Sequence, residues 1–237
     1  MYFTRVLTLS LSFVLIGLLS CKDEVIDPTP VNDLACESEP VYLDTIYLDT
    51  ESIAFVPYDG TETSVFKNAV GEEARFEPLF DFRISYHRME FKRICMNGDT
   101  NHYSFNGEQY SVSKKCPDLN LQFYLNVFPQ NVDVPDVFYD YFIFLLHSPP
   151  LDNTIDTSIT LNFTTSYKGN QIPPTAHHYL QYKFAADTSF LNVPFQDVYY
   201  NDKSISNPPN SVFYTKQLGL IAFTDLNDVL WVFDRFE

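Results

Sequence analysis

Residues 121–128 read LQFYLNVF, and apolar side chains recur there at every second position. A period of two is typical of a β-strand with one buried face, because successive side chains of a strand point to opposite sides. The buried face is predicted to consist of Leu121, Phe123, Leu125 and Val127. This segment predicts a sheet, and similar patterns extend from it along the chain in both directions.

The segments that follow strengthen the β assignment. Residues 137–146, VFYDYFIFLL, are apolar on both faces except at Asp140, which predicts a central strand. In SITLNFTT, the apolar positions Ile159, Leu161 and Phe163 alternate with polar ones. About a dozen such short strands with hairpin connections predict an all-β, antiparallel fold, either a two-layer sandwich or a curled open barrel.

One segment breaks the alternation, and two dipeptides mark turns. In ISYHRMEFKRI, residues 84–94, the apolar set moves from even to odd positions. A β-bulge near His87 explains such a shift, and a short helical turn explains it equally. Asn97-Gly98 and Asn106-Gly107 are dipeptides that favour tight hairpin turns, because both residues tolerate positive φ. We therefore expect a hairpin at each.

The first twenty residues have the layout of a secretory signal. Arg5 supplies the positive charge, and the apolar run from Val6 to Leu19 is shorter than the roughly 20 residues of a membrane span. The segment that follows, residues 22–40, is polar and acidic, and it contains several prolines. It therefore reads as a flexible tether rather than as part of a domain.

The junction between these two segments resembles a lipid-attachment site. Leu18-Leu19-Ser20-Cys21 resembles the lipobox of bacterial lipoproteins, which implies that the chain is cut before Cys21 and that this cysteine carries acyl chains. Two or more acyl chains anchor a protein stably to a membrane. Lys22-Asp23-Glu24 resembles the signal that exports Bacteroidota lipoproteins to the outer membrane, facing the cell surface; the periplasmic face is the alternative.

These features predict the domain organisation and exclude one class of partner. Residues 1–20 are the signal peptide, residues 21–40 are the acylated cysteine and acidic tether, and residues 41–237 are a single all-β domain. The net charge is −16, which becomes −17 when Arg5 is removed with the signal. So acidic a chain repels phosphate backbones, and we therefore expect no nucleic-acid partner.

Three cysteines remain beside the lipobox one, and an exported chain is expected to pair two of them. Cys95 and Cys116 flank the hairpin expected at Asn106-Gly107, so a disulfide is predicted between them. Cys36 lies in the tether and is left as the free thiol.

Three further segments resemble a family. TSVFKNAVGEEARF, FQDVYYND and VFYTKQLGLIAFTDLNDVLW are similar to recurring segments of uncharacterised Bacteroidota outer-membrane and surface lipoproteins. The resemblance implies a lipid anchor and hairpins of an all-β domain. It brings no catalytic residue.

The sequence contains no recognisable catalytic spacing. Glycines are too dispersed for a phosphate-binding loop, and no G-x-S-x-G or HExxH motif occurs. His177 and His178 are adjacent, so they point to opposite faces of a strand. DLNDVLW lacks the glycine and distal glutamate of a calcium loop, so it is interpreted as a hairpin turn with Trp231 in the core. We expect no enzyme activity, no metal and no cofactor.

Basic residues suggest a binding site. A disulfide between Cys95 and Cys116 would gather basic side chains into one exposed cluster that binds anions, such as phosphorylated or carboxylated envelope sugars. The predicted cluster consists of Arg88, Arg93, Lys114 and Lys115. The alternative is that these side chains pair with neighbouring Asp and Glu.

Together these features predict a non-enzymatic, lipid-anchored envelope protein that acts as a binding or structural module. Its expected partners are the membrane, through the lipid on Cys21, and an envelope protein, glycan or lipid. One alternative is a carrier or sensor of a lipid-like ligand, in a cavity lined by residues 121–128 and 137–146. A hydrolase of glycans or peptides is the other alternative.

Overall fold

The structure is a computed structural model that describes residues 39–80, 84–94, 99–131, 137–149, 157–168, 181–202 and 209–237. These residues belong to one compact unit, Glu37–Glu237. The unit is almost entirely β, with a single helical turn, α1, at Thr50–Ile53 among the described residues. The all-β class predicted from the alternating segments is confirmed.

The described residues contain thirteen strands. In chain order they are β1 Val41–Tyr42, β2 Ser64–Lys67, β3 Glu73–Phe80, β4 Ile84–Ile94, β5 Thr100–Cys116, β6 Leu121–Asn131, β7 Phe138–Ser148, β8 Thr157–Lys168, β9 Lys183–Phe190, β10 Val193–Asp202, β11 Ser211–Thr215, β12 Gly219–Thr224 and β13 Leu230–Phe236.

Eleven strands form one antiparallel path in the order β8-β7-β6-β5-β3-β2-β13-β12-β11-β10-β9. Strands β1 and β4 pair with β5 beside this path. The sheet curls, and among the described residues β8 and β9 are left unpaired with each other. Its two ends are joined there at one isolated bridge, where Asn162 in β8 and Gln181, just before β9, exchange backbone hydrogen bonds of 3.3 and 3.2 Å. Asn201 of β10 also donates to the carbonyl of Thr160, at 2.6 Å. Of the two predicted architectures, the structure has the curled open barrel.

Alternation along the strands builds the interior of this barrel. The side chains on the predicted inward face of β6 are each at most 2% exposed. Ile159, Leu161 and Phe163 of β8 are buried in the same core cluster. Strand β7 lies between β6 and β8, as its two-sided apolar character predicts. Trp231 joins the same core and donates its indole N–H to Asp225, at 2.9 Å, in the turn of DLNDVLW. These side-chain predictions are confirmed.

The chain before β2 fills part of the interior. Phe55, Val56 and Tyr58 follow α1, and all three pack into the core cluster with the strands. Tyr58 accepts the backbone N–H of Leu220 at 2.6 Å, and Tyr214 donates to the carbonyl of Phe55. The inward rings of β6 and β7, which the carrier hypothesis assigned to a cavity, therefore pack against one another and against this segment.

Strands β4 and β5 form a long hairpin, and only the second half of β5 belongs to the barrel path. All eleven residues of β4 pair with β5 without a shift of register, from Ile84–Tyr110 to Ile94–Thr100. The expected bulge at His87 and the expected hairpin turn at Asn106-Gly107 are therefore wrong. Gly107 lies mid-strand opposite His87. The hairpin turn expected at Asn97-Gly98 lies outside the described residues. We call residues 84–109 the arm.

Among the described residues, no helix has both the length and the apolar character needed to cross a membrane.

Candidate functional site

The residues predicted for lipidation and export, Cys21 with Lys22, Asp23 and Glu24, lie outside the described residues, as does Cys95. Cys116 is described, and its thiol is free and buried. The predicted Cys95–Cys116 disulfide is therefore not formed in this structure. Ile94, which precedes Cys95, pairs with Thr100 at one end of β5, whereas Cys116 ends the same strand sixteen positions later. That separation is roughly 50 Å of strand.

The predicted anion-binding cluster is also wrong, because β5 is one continuous strand. Arg88 and Arg93 of β4 stand opposite Asn106 and Asn101, whereas Lys115 is nine and fourteen positions farther along β5. Lys115 is exposed beside Glu77. Arg88 lies 3.5 Å from Glu90. The basic residues are thus spread over roughly 45 Å of strand.

Lys114 is the clearest departure from this prediction, because its side chain is fully buried. Its ammonium donates to the Glu62 carboxylate at 2.6 Å, to the Glu62 carbonyl at 2.7 Å and to the Ser64 hydroxyl at 3.0 Å. It also lies 4.6 Å from the centre of the Tyr58 ring. Burial lowers the pKa of Lys114, and Glu62 opposes this effect. All three ammonium protons are used, which is typical of a structural lysine.

A second buried network fixes the segment that enters the barrel. Asp140 of β7 is fully buried, pairs with Lys168 of β8 at 2.8 Å, and accepts the backbone N–H of Asp49 at 2.8 Å. Lys168 also donates to the carbonyl of Tyr47. Because these contacts join β7 and β8 to the chain just before α1, we interpret the network as structural.

A groove on the outer face of the sheet, the side opposite the core, is the best candidate site. It lies between the arm and the ends of β6 and β7, and has a volume of about 690 Å³. Side chains of four strands line it. Met89 and Phe105 are opposite each other in β4–β5, and Phe128 and Tyr141 are opposite each other in β6–β7. We call it the outer groove.

Aromatic rings form most of the walls of the outer groove. Phe128 and Tyr141 meet edge to face, with their centres 5.7 Å apart. Across the groove, Phe91 stacks on Tyr103 at 4.8 Å with nearly parallel planes. Phe91, Phe128 and Tyr141 are only partly buried, so the groove presents rings to solvent on both sides.

Polar groups are placed among these rings. Glu90, Gln130 and Asn131 line the groove. Tyr139 donates its hydroxyl to Gln130 at 2.6 Å, and Asn131 donates to the carbonyl of Val137 at 3.0 Å. These bonds orient the two amides at the groove wall. Burial raises the pKa of Tyr141, so its hydroxyl remains protonated and able to donate at neutral pH.

A glycine allows the arm to approach β6 at the groove. A Cβ at Gly107 would lie 3.0 Å from Pro129 and 3.1 Å from the sulfur of Met89, both side-chain atoms. Contacts this short force neighbours to move, so a larger residue at Gly107 is expected to displace Met89 from the wall of the outer groove.

A second, smaller pocket lies along β4, β5 and β6. Its volume is about 330 Å³, and its lining includes Ser111, Ser113 and Asn126. In the same pocket Ser85 and His87, on one face of β4, share a hydrogen bond of 2.9 Å between Oγ and Nε2. This pair supplies additional hydrogen-bonding groups next to the aromatic walls.

The outer groove was not predicted from the sequence, although one feature of the strands indicates it. Phe128 and Tyr141 occupy the face of β6 and β7 opposite the core, where polar residues are expected for a solvated sheet. Large rings at such positions mark a second contact surface. No sequence feature indicates that the arm lines the groove. Phe91 lies at the groove because of the register in which β4 pairs with β5.

Within the described ranges, no group of three or more His, Cys, Asp and Glu side chains is arranged to hold a metal ion. Comparisons with protein-family models, with curated proteins and with solved structures find no match.

Proposed function

We propose that this chain is a lipid-anchored protein of the outer membrane, facing the cell surface, whose domain binds a neutral glycan in the outer groove without chemical reaction. The anchor is supported by residues 15–24, where an apolar run ends in Ser20-Cys21 and the acidic tether begins. Glycan binding is supported by the outer groove itself. Its lining combines partly exposed aromatic rings with amide and carboxylate groups.

The chemistry of the groove fits a sugar ring. One face of a pyranose consists largely of C–H groups, which pack on aromatic rings, while its edge carries hydroxyls that need hydrogen-bonding partners. Phe128 and Tyr141 provide such a platform, and Gln130, Asn131 and Glu90 provide donors and acceptors beside it. A purely apolar ligand would leave these polar groups desolvated without partners.

The charge of the site favours a neutral ligand. Glu90 is the charged residue among the groove-lining side chains, and the chain as a whole carries a charge of −16. An anionic sugar would meet a repulsive field there. The basic cluster that was expected to attract anions is dispersed and partly buried.

Binding is tested with the detergent-solubilised full chain on an array of neutral and anionic glycans, followed by calorimetry on the best ligand. Phe128→Ala and Tyr141→Ala are each expected to weaken binding about tenfold, because each removes a stacking surface. Tyr42→Ala is the matched control, since this tyrosine is 57% exposed on β1, away from the groove lining. Retention of no glycan, or equal affinity of all three variants, contradicts the proposal.

Anchoring is tested separately with Cys21→Ala. The variant is expected to leave the membrane fraction and to lose acylation, measured by mass spectrometry of the processed chain. Protease treatment of intact cells then distinguishes the surface from the periplasmic face. A Cys21→Ala chain that stays membrane-bound and acylated contradicts the anchor, whatever the glycan result.

A further inference from the structure

Strand β4 has an open edge. It pairs with β5 along one side, and within the described ranges no strand pairs with its other side. On the face of β4 opposite Met89 and Phe91, the side chains of Ile84, Tyr86 and Ile94 are 54%, 55% and 78% exposed. Alternate residues of an edge strand direct their backbone N–H and C=O groups outward, which makes a long, exposed edge a template for another strand.

We propose that this edge pairs with β4 of a second copy of the chain, antiparallel and two-fold symmetric about Met89. The sequence ISYHRMEFKRI is complementary to itself when it is reversed about its centre. The symmetric register places the following residues opposite each other, twice in each dimer: Ile84 and Ile94, Ser85 and Arg93, Tyr86 and Lys92, His87 and Phe91, and Arg88 and Glu90.

These opposed residues are chemically matched. Arg88 faces Glu90 of the other copy, and the same pair recurs on the opposite side of the two-fold axis, as an isologous interface requires. Within one chain the Arg88 and Glu90 side chains are 64% and 69% exposed and lie 3.5 Å apart. Neither is held by burial, so each is accessible to the other copy. The Lys92 ammonium meets the Tyr86 ring, an arrangement that favours cation–π contact. Ile84 and Ile94 bury apolar surface at each end of the ladder.

Charge selects this register over its neighbours. A shift by two residues in one direction places Glu90 opposite Glu90 and Arg88 opposite Lys92. A shift by two in the other direction places Arg88 opposite Arg88. Like charges directly opposite each other destabilise a strand pair, and so each alternative is disfavoured. The register centred on Met89 brings no like charges together.

Such a dimer would continue the sheet through both arms. In an antiparallel pair, opposed residues point to the same face, so the faces that carry Met89 and Phe91 in the two copies lie on one side. Both outer grooves would then open in the same direction. The proposed dimer interface is formed by β4 alone, and dimerisation does not require the proposed glycan ligand.

Charge reversal tests the pairing directly. The full chain in detergent is expected to sediment as a dimer, and Arg88→Glu or Glu90→Arg is expected to weaken dimerisation about tenfold or more, because each creates two like-charge contacts. The double variant Arg88→Glu/Glu90→Arg is expected to restore it. Lys183→Glu, on an exposed lysine of β9, changes the net charge by the same amount as Arg88→Glu and serves as its control. A wild-type monomer, or a dimer that ignores the single reversals, overturns the proposal.

Cross-linking tests the register. In a chain whose Cys36 and Cys95 are replaced by Ser, Met89→Cys is expected to form a disulfide-linked dimer on mild oxidation. Ser85→Cys is expected to remain uncross-linked, because its opposite residue is Arg93, eight positions from residue 85 on the other copy. Efficient cross-linking at both positions indicates parallel, in-register strands and overturns the two-fold arrangement, as does cross-linking at neither.

Discussion

Strand β5 passes through two different environments, the wall of the barrel and the arm. In its second half, Val112, Lys114 and Cys116 point into the barrel and are buried there. In its first half it is flanked by β4, a strand whose residues are exposed or partly exposed throughout. The barrel half of β5 contributes to stability because its inward side chains are buried in the core. The arm half leaves side chains available for contact, and the outer groove lies where the two regions meet.

The contrast is sharpest between two basic residues that were assigned to the same cluster. Lys114 has three hydrogen-bond partners and no solvent exposure, whereas the Arg88 side chain is 64% exposed and lies 3.5 Å from one carboxylate. A charge in the barrel wall depends on its partners, and a charge on the arm is solvated with or without them. Substitutions in the two regions should therefore differ greatly in their effect on stability.

The largest effect is expected for a core ring. Phe142 is fully buried, stacks on Phe163 at 4.5 Å, and lies 5.0 Å from the ring centre of Tyr214. Phe142→Ala should lower the free energy of unfolding by about 3–5 kcal/mol, through lost burial and the cavity left behind. Phe128→Ala, a ring lost from the outer groove, should lower it by about 1 kcal/mol or less. Urea unfolding measures both; equal losses would contradict the distinction.

A smaller loss is expected for the buried charge. Lys114→Met removes the ammonium and leaves the Glu62 carboxylate, whose side chain is 14% exposed, without its cation. Unfolding free energy should fall by about 3 kcal/mol, since a broken buried pair leaves one charge unpaired.

The double variant Lys114→Met/Glu62→Gln is the control, and it should recover part of that loss because no charge remains. If the double variant is less stable than both single variants, the contribution of Lys114 to the free energy of unfolding does not come from its ion pair with Glu62.

Strand faces were predictable from the sequence wherever the barrel interior imposes alternation. Leu121 to Val127 and Ile159 to Phe163 each show a period of two, because the buried face of these strands is filled by apolar side chains. Residues 84–94 show no such pattern, since β4 has no core face, and the shift of its apolar residues does not reflect a bulge. Likewise, turn propensity at Asn106-Gly107 is outweighed by the ladder of pairs between β4 and β5.

The candidate site was less predictable, because it depends on contacts between distant parts of the chain. The partner of Lys114 is Glu62, fifty-two positions earlier, and no local pattern indicates that pairing. Lys114 lies on the same buried face of β5 as Val112 and Cys116, whereas it was predicted from the sequence to lie in an exposed cluster. For the outer groove, Phe91 and Tyr141 are fifty positions apart in sequence and line one groove only through the sheet order.

Alkaline pH should weaken the barrel interior through its tyrosines. Burial raises the pKa of Tyr58 and of Tyr214. The unfolded tyrosines ionise near pH 10, so above that pH the unfolded state holds fewer protons than the native state. Stability is therefore complete below about pH 10 and falls above it, by up to about 1.4 kcal/mol per pH unit for each tyrosine.

Unfolding free energies of the wild type and Tyr214→Phe between pH 8 and 11 measure this slope. Tyr214→Phe is expected to lose stability at pH 8, because the hydrogen bond to the Phe55 carbonyl is removed. Its slope above pH 10 should be shallower than that of the wild type. An unchanged slope would mean that Tyr214 ionises freely in the folded barrel.

The smallest effect is expected on the arm. Arg88→Ala removes a guanidinium that is 3.5 Å from Glu90 and 3.3 Å from the Ser104 hydroxyl. Because exposed ion pairs contribute little, the unfolding free energy of the monomer should change by less than about 0.5 kcal/mol, and added salt should reduce that difference further by screening. Urea unfolding at dilutions where sedimentation shows monomer isolates this effect from dimerisation. A loss as large as that of Lys114→Met would mean that the arm, like the barrel wall, depends on its charges for stability.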